Sequence, residues 1–332
     1  MQRKFLFPAR CISGSARVRF GVFWVGMMTL GSAVPALASC GSAFCSVNTD
    51  LHSLKGAVQP GWNYRLQFEY IDQDQLRSGT DEIGVDVVDE HHVELRTINR
   101  NWLIGLDYGI NERWGVGLTV PFVDRDHKHL HHHHGEELIE RWSMGELGDL
   151  RAQGRYQLTG GDPNHASSAL HFGLKLPTGE HDIRNRDGDQ AERSLQPGSG
   201  TTDLILSLNA IKPLGAGSSL FADLSVQLPL NKADEYRPGR LFQADVGWSH
   251  LLANKVSLYV QANLAHKTRD SGAESEPDNS GSTKLSISPG VGYALSRAVL
   301  VYGFLQLPIY QDVNGVQSTF DYALSLGIHG EL

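Results

Sequence analysis

The residues best equipped for chemistry are histidines crowded into two short stretches. Of 15 His in the chain, six stand at His127, His129, His131, His132, His133 and His134, flanked by Asp124, Asp126, Glu136 and Glu137. His91 and His92 follow Asp89 and Glu90 in a second polar stretch. Neutral imidazole ligates Zn, Cu and Ni, and neighbouring carboxylates complete or orient such a shell. The two tracts together define a candidate divalent-metal site, with Zn, Cu or Ni as substrate or regulator and no cofactor strictly required. Two other readings stay open: a solvated tract that binds metal weakly and without use, and a pH sensor, since imidazole titrates at about pH 6.5.

Other chemistries find less support. No G-x-S-x-G motif occurs, which leaves His171 and His250 as the candidate bases of a lipid-acting enzyme. Three Cys with no C-x-x-C pair exclude a disulfide-dense scaffold and a zinc ribbon. Asp187-Gly188-Asp189 with Glu192 does not have EF-hand spacing. A net charge of −8 disfavours nucleic acid as a partner, because phosphate binding needs a basic surface.

The elements that must carry these residues start after an address. Residues 1–39 hold Arg3, Lys4, Arg10, Arg17 and Arg19, then the apolar stretch 20–34, then an A-x-A close at Ala36 and Ala38. This is the pattern of a signal peptide. Without its five positive charges the net charge of −8 falls to about −13. Cys40 and Cys45 suit a small disulfide in an oxidising compartment, while Leu37-Ala38-Ser39-Cys40 also reads as a lipidation signal, and both readings stand. Residues 40–61 then read as a periplasmic N-terminal segment.

From residue 62 to 332, segment after segment alternates with period two. Leu150, Ala152, Gly154, Tyr156 and Leu158 oppose Arg151, Gln153, Arg155 and Gln157, and Leu170, Phe172 and Leu174 oppose His171, Gly173 and Lys175. Mean hydropathy is −0.27, and after residue 34 no apolar run approaches the roughly 20 residues of a spanning helix, so a helical transporter is excluded. Strands are expected at 62–72, 93–110, 113–123, 146–159, 167–178, 201–212, 218–230, 240–252, 255–267, 283–296, 298–310 and 318–330. The links alternate between long loops (73–92, 124–145, 179–200) and short turns. Sorted loops and an even strand count predict an all-β, transmembrane, antiparallel up-and-down β-barrel of about 12 strands. The apolar face carries aromatic residues near strand ends (Trp62, Trp102, Trp114, Phe122, Tyr156, Tyr293), as expected of interfacial girdles. Strand two changes phase between Val93-x-Leu95 and Trp102-x-Ile104, which predicts a bulge across Thr97 to Asn101 or a strand projecting beyond the membrane.

The opposite face is then a lumen. Arg65, Glu69, Arg151, Arg155, His171, Lys175, Asp223 and Asp245 are its charged or ionisable positions, with Gln67, Asp107, Asp203 and Gln227 beside them. They line a selective pore or lock into ion pairs that plug it, and the sequence does not choose.

Four segments carry a resemblance: Gly145-Glu146-Leu147-Gly148-Asp149-Leu150, Leu174-Lys175-Leu176-Pro177-Thr178-Gly179-Glu180, Gln196-Pro197-Gly198-Ser199-Gly200-Thr201-Thr202-Asp203, and Leu307-Pro308-Ile309-Tyr310 followed by Val313-Asn314-Gly315. In this order they resemble the porin-like outer-membrane barrel family labelled for a meta-pathway of phenol degradation, over roughly residues 60–332. The His-rich tract departs from that pattern. The resemblance implies an outer-membrane channel or transporter for small solutes in a Gram-negative bacterium, with an aromatic or hydrophobic compound, or a metal ion, as solute. Its further partners would be outer-membrane lipid and the barrel-assembly machinery. The alternatives are a structural or plugged barrel and an outer-membrane lipid-acting enzyme.

Overall fold

The computed structural model describes residues 44, 46–49, 60–85, 88, 92–133, 136–160, 165–253 and 255–332. Among them the secondary structure is strand throughout: β1 (Gly61–Gly79), β2 (Asp81–Glu82), β3 (His92–Gly109), β4 (Trp114–His133), β5 (Glu136–Leu147), β6 (Arg151–Thr159), β7 (Ser167–Lys175), β8 (Asp203–Gly215), β9 (Ser218–Pro229), β10 (Leu241–Ala253), β11 (Val256–Lys267), β12 (Ser282–Ala294) and β13 (Val299–Glu331). Eleven of them close a barrel in the order β1-β3-β4-β6-β7-β8-β9-β10-β11-β12-β13 and back to β1, every pair antiparallel, while β2 and β5 lie outside this ring.

The last strand counts twice in the wall. Its first half pairs with β12 from Leu300 to Val313, and its second half pairs with β1 from Val313 to Glu331. It doubles back on itself, since the Glu331 amide donates to the Ala298 carbonyl at 2.9 Å and Gln311 Nε2 donates to the Phe320 carbonyl at 3.1 Å. Gly315 makes the turn at φ 59°, where a Cβ would meet Asn279 Oδ1 at 2.0 Å. The eleven strands therefore cross the wall twelve times, the number the alternation predicts.

Burial is inverted relative to a soluble protein. Side chains facing outward are apolar and exposed, among them Ile104, Val116, Leu224 and Val246, while Gln67, Gln73, Asn99, Gln261, Asn263 and Ser288 are buried inside. Lipid solvates the first set and mutual hydrogen bonds satisfy the second. Aromatic pairs mark the turn end of the apolar band: Trp62 and Tyr108 stand 4.8 Å apart between ring centroids, and Trp114 and Tyr156 4.6 Å. At the loop end Phe68 and Trp102 stand 4.9 Å apart.

Four expectations need correction. The stretches 73–92 and 124–145 are largely strand, because β1 runs on to Gly79 and β4 and β5 form a hairpin from Phe122↔Leu147 to His133↔Glu136. A strand above the membrane needs no apolar face, so polarity hides it from a reading based on hydropathy. The expected strand 146–159 is broken at 148–150 into β5 and β6. Pro121 on β4, which has no N–H to donate to a ladder, sits opposite the break, and its carbonyl takes the Gly148 amide at 2.9 Å. The bulge lies between Glu94 and Arg96 rather than across Thr97 to Asn101, and below it Thr97, Asn99 and Asn101 all face inward. Residues 46–49, within the segment expected to be periplasmic, lie inside the barrel.

Candidate functional site

Three of the four segments that carry the family resemblance meet at one node at the loop end of the lumen. β7 stops at Lys175, and its ammonium reaches Asp149 Oδ2 at 2.6 Å, the Thr201 carbonyl at 2.9 Å and the Ser199 hydroxyl. Asp149 also accepts from the Gly179 amide (3.1 Å), the Ser199 amide (3.0 Å) and the Ser199 hydroxyl (3.0 Å). The backbones of Gly148, Gly179 and Gly198 stack so closely that a Cβ on Gly198 would sit 2.3 Å from the Gly179 carbonyl oxygen. The latter part of the chain 179–200, from Ala191, is thereby turned into the barrel, while 186–190 stays exposed. Leu195 is fully buried, and the Arg125 guanidinium of β4 donates to its carbonyl.

A second piece of chain enters from the N-terminal side. The Ser46 amide donates to Gln306 Oε1 at 3.3 Å and the Ser46 hydroxyl accepts from Gln306 Nε2. Asn48 exchanges two hydrogen bonds with Gln261, at 3.2 and 3.0 Å. Thr49 Oγ1 donates to Gln67 Oε1 at 2.7 Å. Val47 packs against Tyr259, Tyr302 and Phe304, and the Arg151 guanidinium lies 5.5 Å above the Phe44 ring. Three amides on three strands thus hold this strap as a partner strand would, through its backbone and short hydroxyls.

Around the strap the lumen opens into cavities that share wall residues. One of about 280 Å³ lies beside the node, lined by Phe44, Arg151, Lys175, Arg193, Asp203 and Tyr236 among others. A second of about 270 Å³ is lined by Arg65, Glu69, Arg151, His171, Asp223 and Asp245, and the two share Phe44, Ser46, Arg151, Gln227 and Gln243. A third, about 90 Å³, shares Arg65, Thr119, Gln153 and His171 with the second and reaches Arg155 and His329 toward the turn end. Arg65, Glu69, Arg151, Arg155, His171, Lys175, Asp223 and Asp245, and Asp107 and Asp203 beside them, each line one or more of these cavities.

The histidines do not assemble as a loop. His127 and His129 lie on the inner face of β4, buried against Trp142 with centroids 5.7 and 4.7 Å away, in a cluster that Met144, Ala191 and Leu195 extend. His127 Nδ1 and the Thr97 hydroxyl are hydrogen-bonded at 2.7 Å, and His129 Nε2 and Glu140 Oε2 are 2.9 Å apart. The backbones of His92, His131, His132 and His133 lie in the paired ladders of β3 with β4 and β4 with β5. His91 and His134, like Cys40 and Cys45, lie outside the described residues. Among the described residues no group of three or more His, Cys, Asp or Glu is placed to hold a metal.

Burial, with help from His129 and Arg125, pushes the His127 pKa well below its ordinary value. The unfolded segment therefore binds a proton near pH 6.5 that the folded one refuses. His127's contribution is complete above that pH and is lost as pH falls below it, by up to about 1.4 kcal/mol per pH unit. Urea melts of the β4–β5 hairpin, followed by Trp142 fluorescence, should weaken from pH 7.5 to 5.5, and a His127→Gln variant should flatten that slope.

His250 Nδ1 is 2.8 Å from Ser218 Oγ, and its ring stacks on Trp248, but among the described residues no carboxylate is hydrogen-bonded to it. His171 lines the lumen, away from lipid. The signals that the sequence reading missed are Asp149, Ser199 and the three stacked glycines, which stood inside the resemblance segments without an assigned role, and the strap at 46–49.

Fold and lumen together define an outer-membrane β-barrel. The crystal structure of an outer-membrane channel from Pseudomonas putida F1 superposes with a TM-score of 0.62 at 12% identity, over 86% of this chain and 99% of that one. The β domain of the Bordetella autotransporter BrkA gives 0.47 at 12% identity, over 82% of this chain and 100% of that one. No curated protein matches in sequence. The chain belongs to the family described as "Putative MetA-pathway of phenol degradation", which matches residues 86–314, more than two thirds of its length.

Proposed function

We propose that the protein is a channel that passes small solutes across the outer membrane through its lumen, with the strap at 46–49 and the inward chain 179–200 forming the constriction. The observation that carries this reading is the run of three cavities sharing wall residues from the node to the turn end. A solid plug would leave no such series. A cavity of about 150 Å³ is enough to hold benzene, so the two larger cavities have room for a single-ring solute. Their walls mix rings (Phe44, Tyr236) with opposed charges (Arg65, Arg151 and Lys175 against Glu69, Asp203, Asp223 and Asp245). That combination suits small solutes bearing both an apolar and a polar side.

Arg151 borders both larger cavities, so its charge sits on any path between them. Arg151→Glu is expected to move the reversal potential of single channels in a salt gradient toward cation selectivity, by several-fold in permeability ratio. An unmoved reversal potential in a folded, conducting variant would place the current outside this lumen.

A further inference from the structure

Above the apolar band the outer surface carries an arrangement that a barrel wall alone does not need. Arg96 on β3 is directly opposite Lys128 on β4, and Lys128 is directly opposite Arg141 on β5. All three share the outward face, because their parity matches Trp102, Phe122 and Leu147, which are exposed to lipid. Like charges directly opposed on neighbouring strands destabilise a sheet, and here three stand in one row. Of the acids nearby, Asp72 binds Arg96, and Asp124 and Asp126 bind Arg100 at 3.0 and 2.9 Å, two residues and more below the row, while Asp74 acts on Arg96 and Asp126 on Lys128 only through charge, without a salt bridge. Neither Lys128 nor Arg141 has an ion-pair partner among the described residues.

The height of the row identifies the missing anion. Trp102, Phe122 and Leu147 are in register and form the last outward row that is apolar on all three strands. Arg96 is six residues further along, about 20 Å of strand, or about 15 Å in height at the tilt of outer-membrane strands. Long cationic side chains that fold back from there meet the phosphorylated sugars just above the acyl layer. We infer that Lys128 and Arg141, with Arg96 beside them, bind the phosphate groups of an anionic glycolipid in the outer leaflet. Ammonium and guanidinium groups suit phosphate oxygens, and β5, which pairs only with β4, leaves room for a lipid headgroup at Arg141.

The test uses the detergent-purified full chain, with native mass spectrometry and thermal melts as readouts. Bis-phosphorylated lipid A should bind and raise the melting midpoint, and enzymatically dephosphorylated lipid A should bind at least tenfold more weakly. A Lys128→Gln/Arg141→Gln double variant should lose that preference, while Lys212→Gln, at the turn end, should keep it. If the double variant fails to fold, adding each single variant to the same titration gives the answer with less disruption. Equal binding of both lipids by the wild type, an unchanged preference in the glutamine variants, or equal protection by inorganic phosphate at the same concentration would each overturn the assignment.

Discussion

Asp149→Ala is expected to lower the urea midpoint of the barrel and at the same time raise its single-channel conductance, a pairing that few substitutions in a wall produce. Asp149 is 6% exposed and takes hydrogen bonds from Lys175, the Gly179 amide and both donors of Ser199. Its removal leaves a buried ammonium whose remaining carboxylate, on Asp203, is 3.5 Å away. Breaking a buried pair from one side costs about 3–5 kcal/mol, and the surviving Asp203 contact places this case near the lower end. The loss falls on the anchor of 179–200, so that chain should leave the lumen before the wall opens. Asp149→Asn keeps two acceptor positions on one oxygen and should sit between wild type and alanine in both readouts. A midpoint within about 0.5 kcal/mol of wild type with unaltered conductance would show that the node does not hold the chain inward.

The same residues show why only part of this protein is legible in its sequence. The membrane imposes a local rule, apolar outward and polar inward at every second residue, so Arg151, Arg155, His171 and Lys175 could be assigned to a face from their neighbours alone. That rule ends at the membrane surface. Beyond Phe122 the outward positions become Asp124, Asp126 and Lys128, and a strand continuing in water has the composition of a loop; the histidines of β4 were hidden for this reason. The Pro121 break was equally local in cause, and its trace is a change of parity, from the outward Leu147 on β5 to the outward Ala152 and Leu158 on β6, which a reading of 146–159 as one strand passes over. The inward course of 179–200 depends on contacts some 30 and 50 residues apart, Gly148 with Gly179 and Asp149 with Ser199. No window along the chain contains both partners. The strap is the extreme case, since Ser46 meets Gln306 across 260 residues.

The strap also supplies the larger change in transport. A Gln261→Leu/Gln306→Leu double variant deletes the four hydrogen bonds that hold Ser46 and Asn48. Each such bond contributes about 0.5–1.5 kcal/mol net, so the strap loses roughly 2–6 kcal/mol of attachment, while Thr49 to Gln67, the packing of Val47 and the Arg151–Phe44 contact remain. Both glutamines are buried on the inner wall, and leucine there makes no claim on lipid, so the barrel itself should persist. With the strap detached, the cavities of about 280 and 270 Å³ that it now separates become one space. Single-channel conductance is then expected to rise several-fold, and protease added from the turn side should cut the freed segment in the variant but not in wild type. A cut strap with unchanged current would mean that solutes pass beside it, leaving chain 179–200 as the sole constriction; an uncut strap with unchanged current would mean that Val47 and its ring of Tyr259, Tyr302 and Phe304 hold it without the amides.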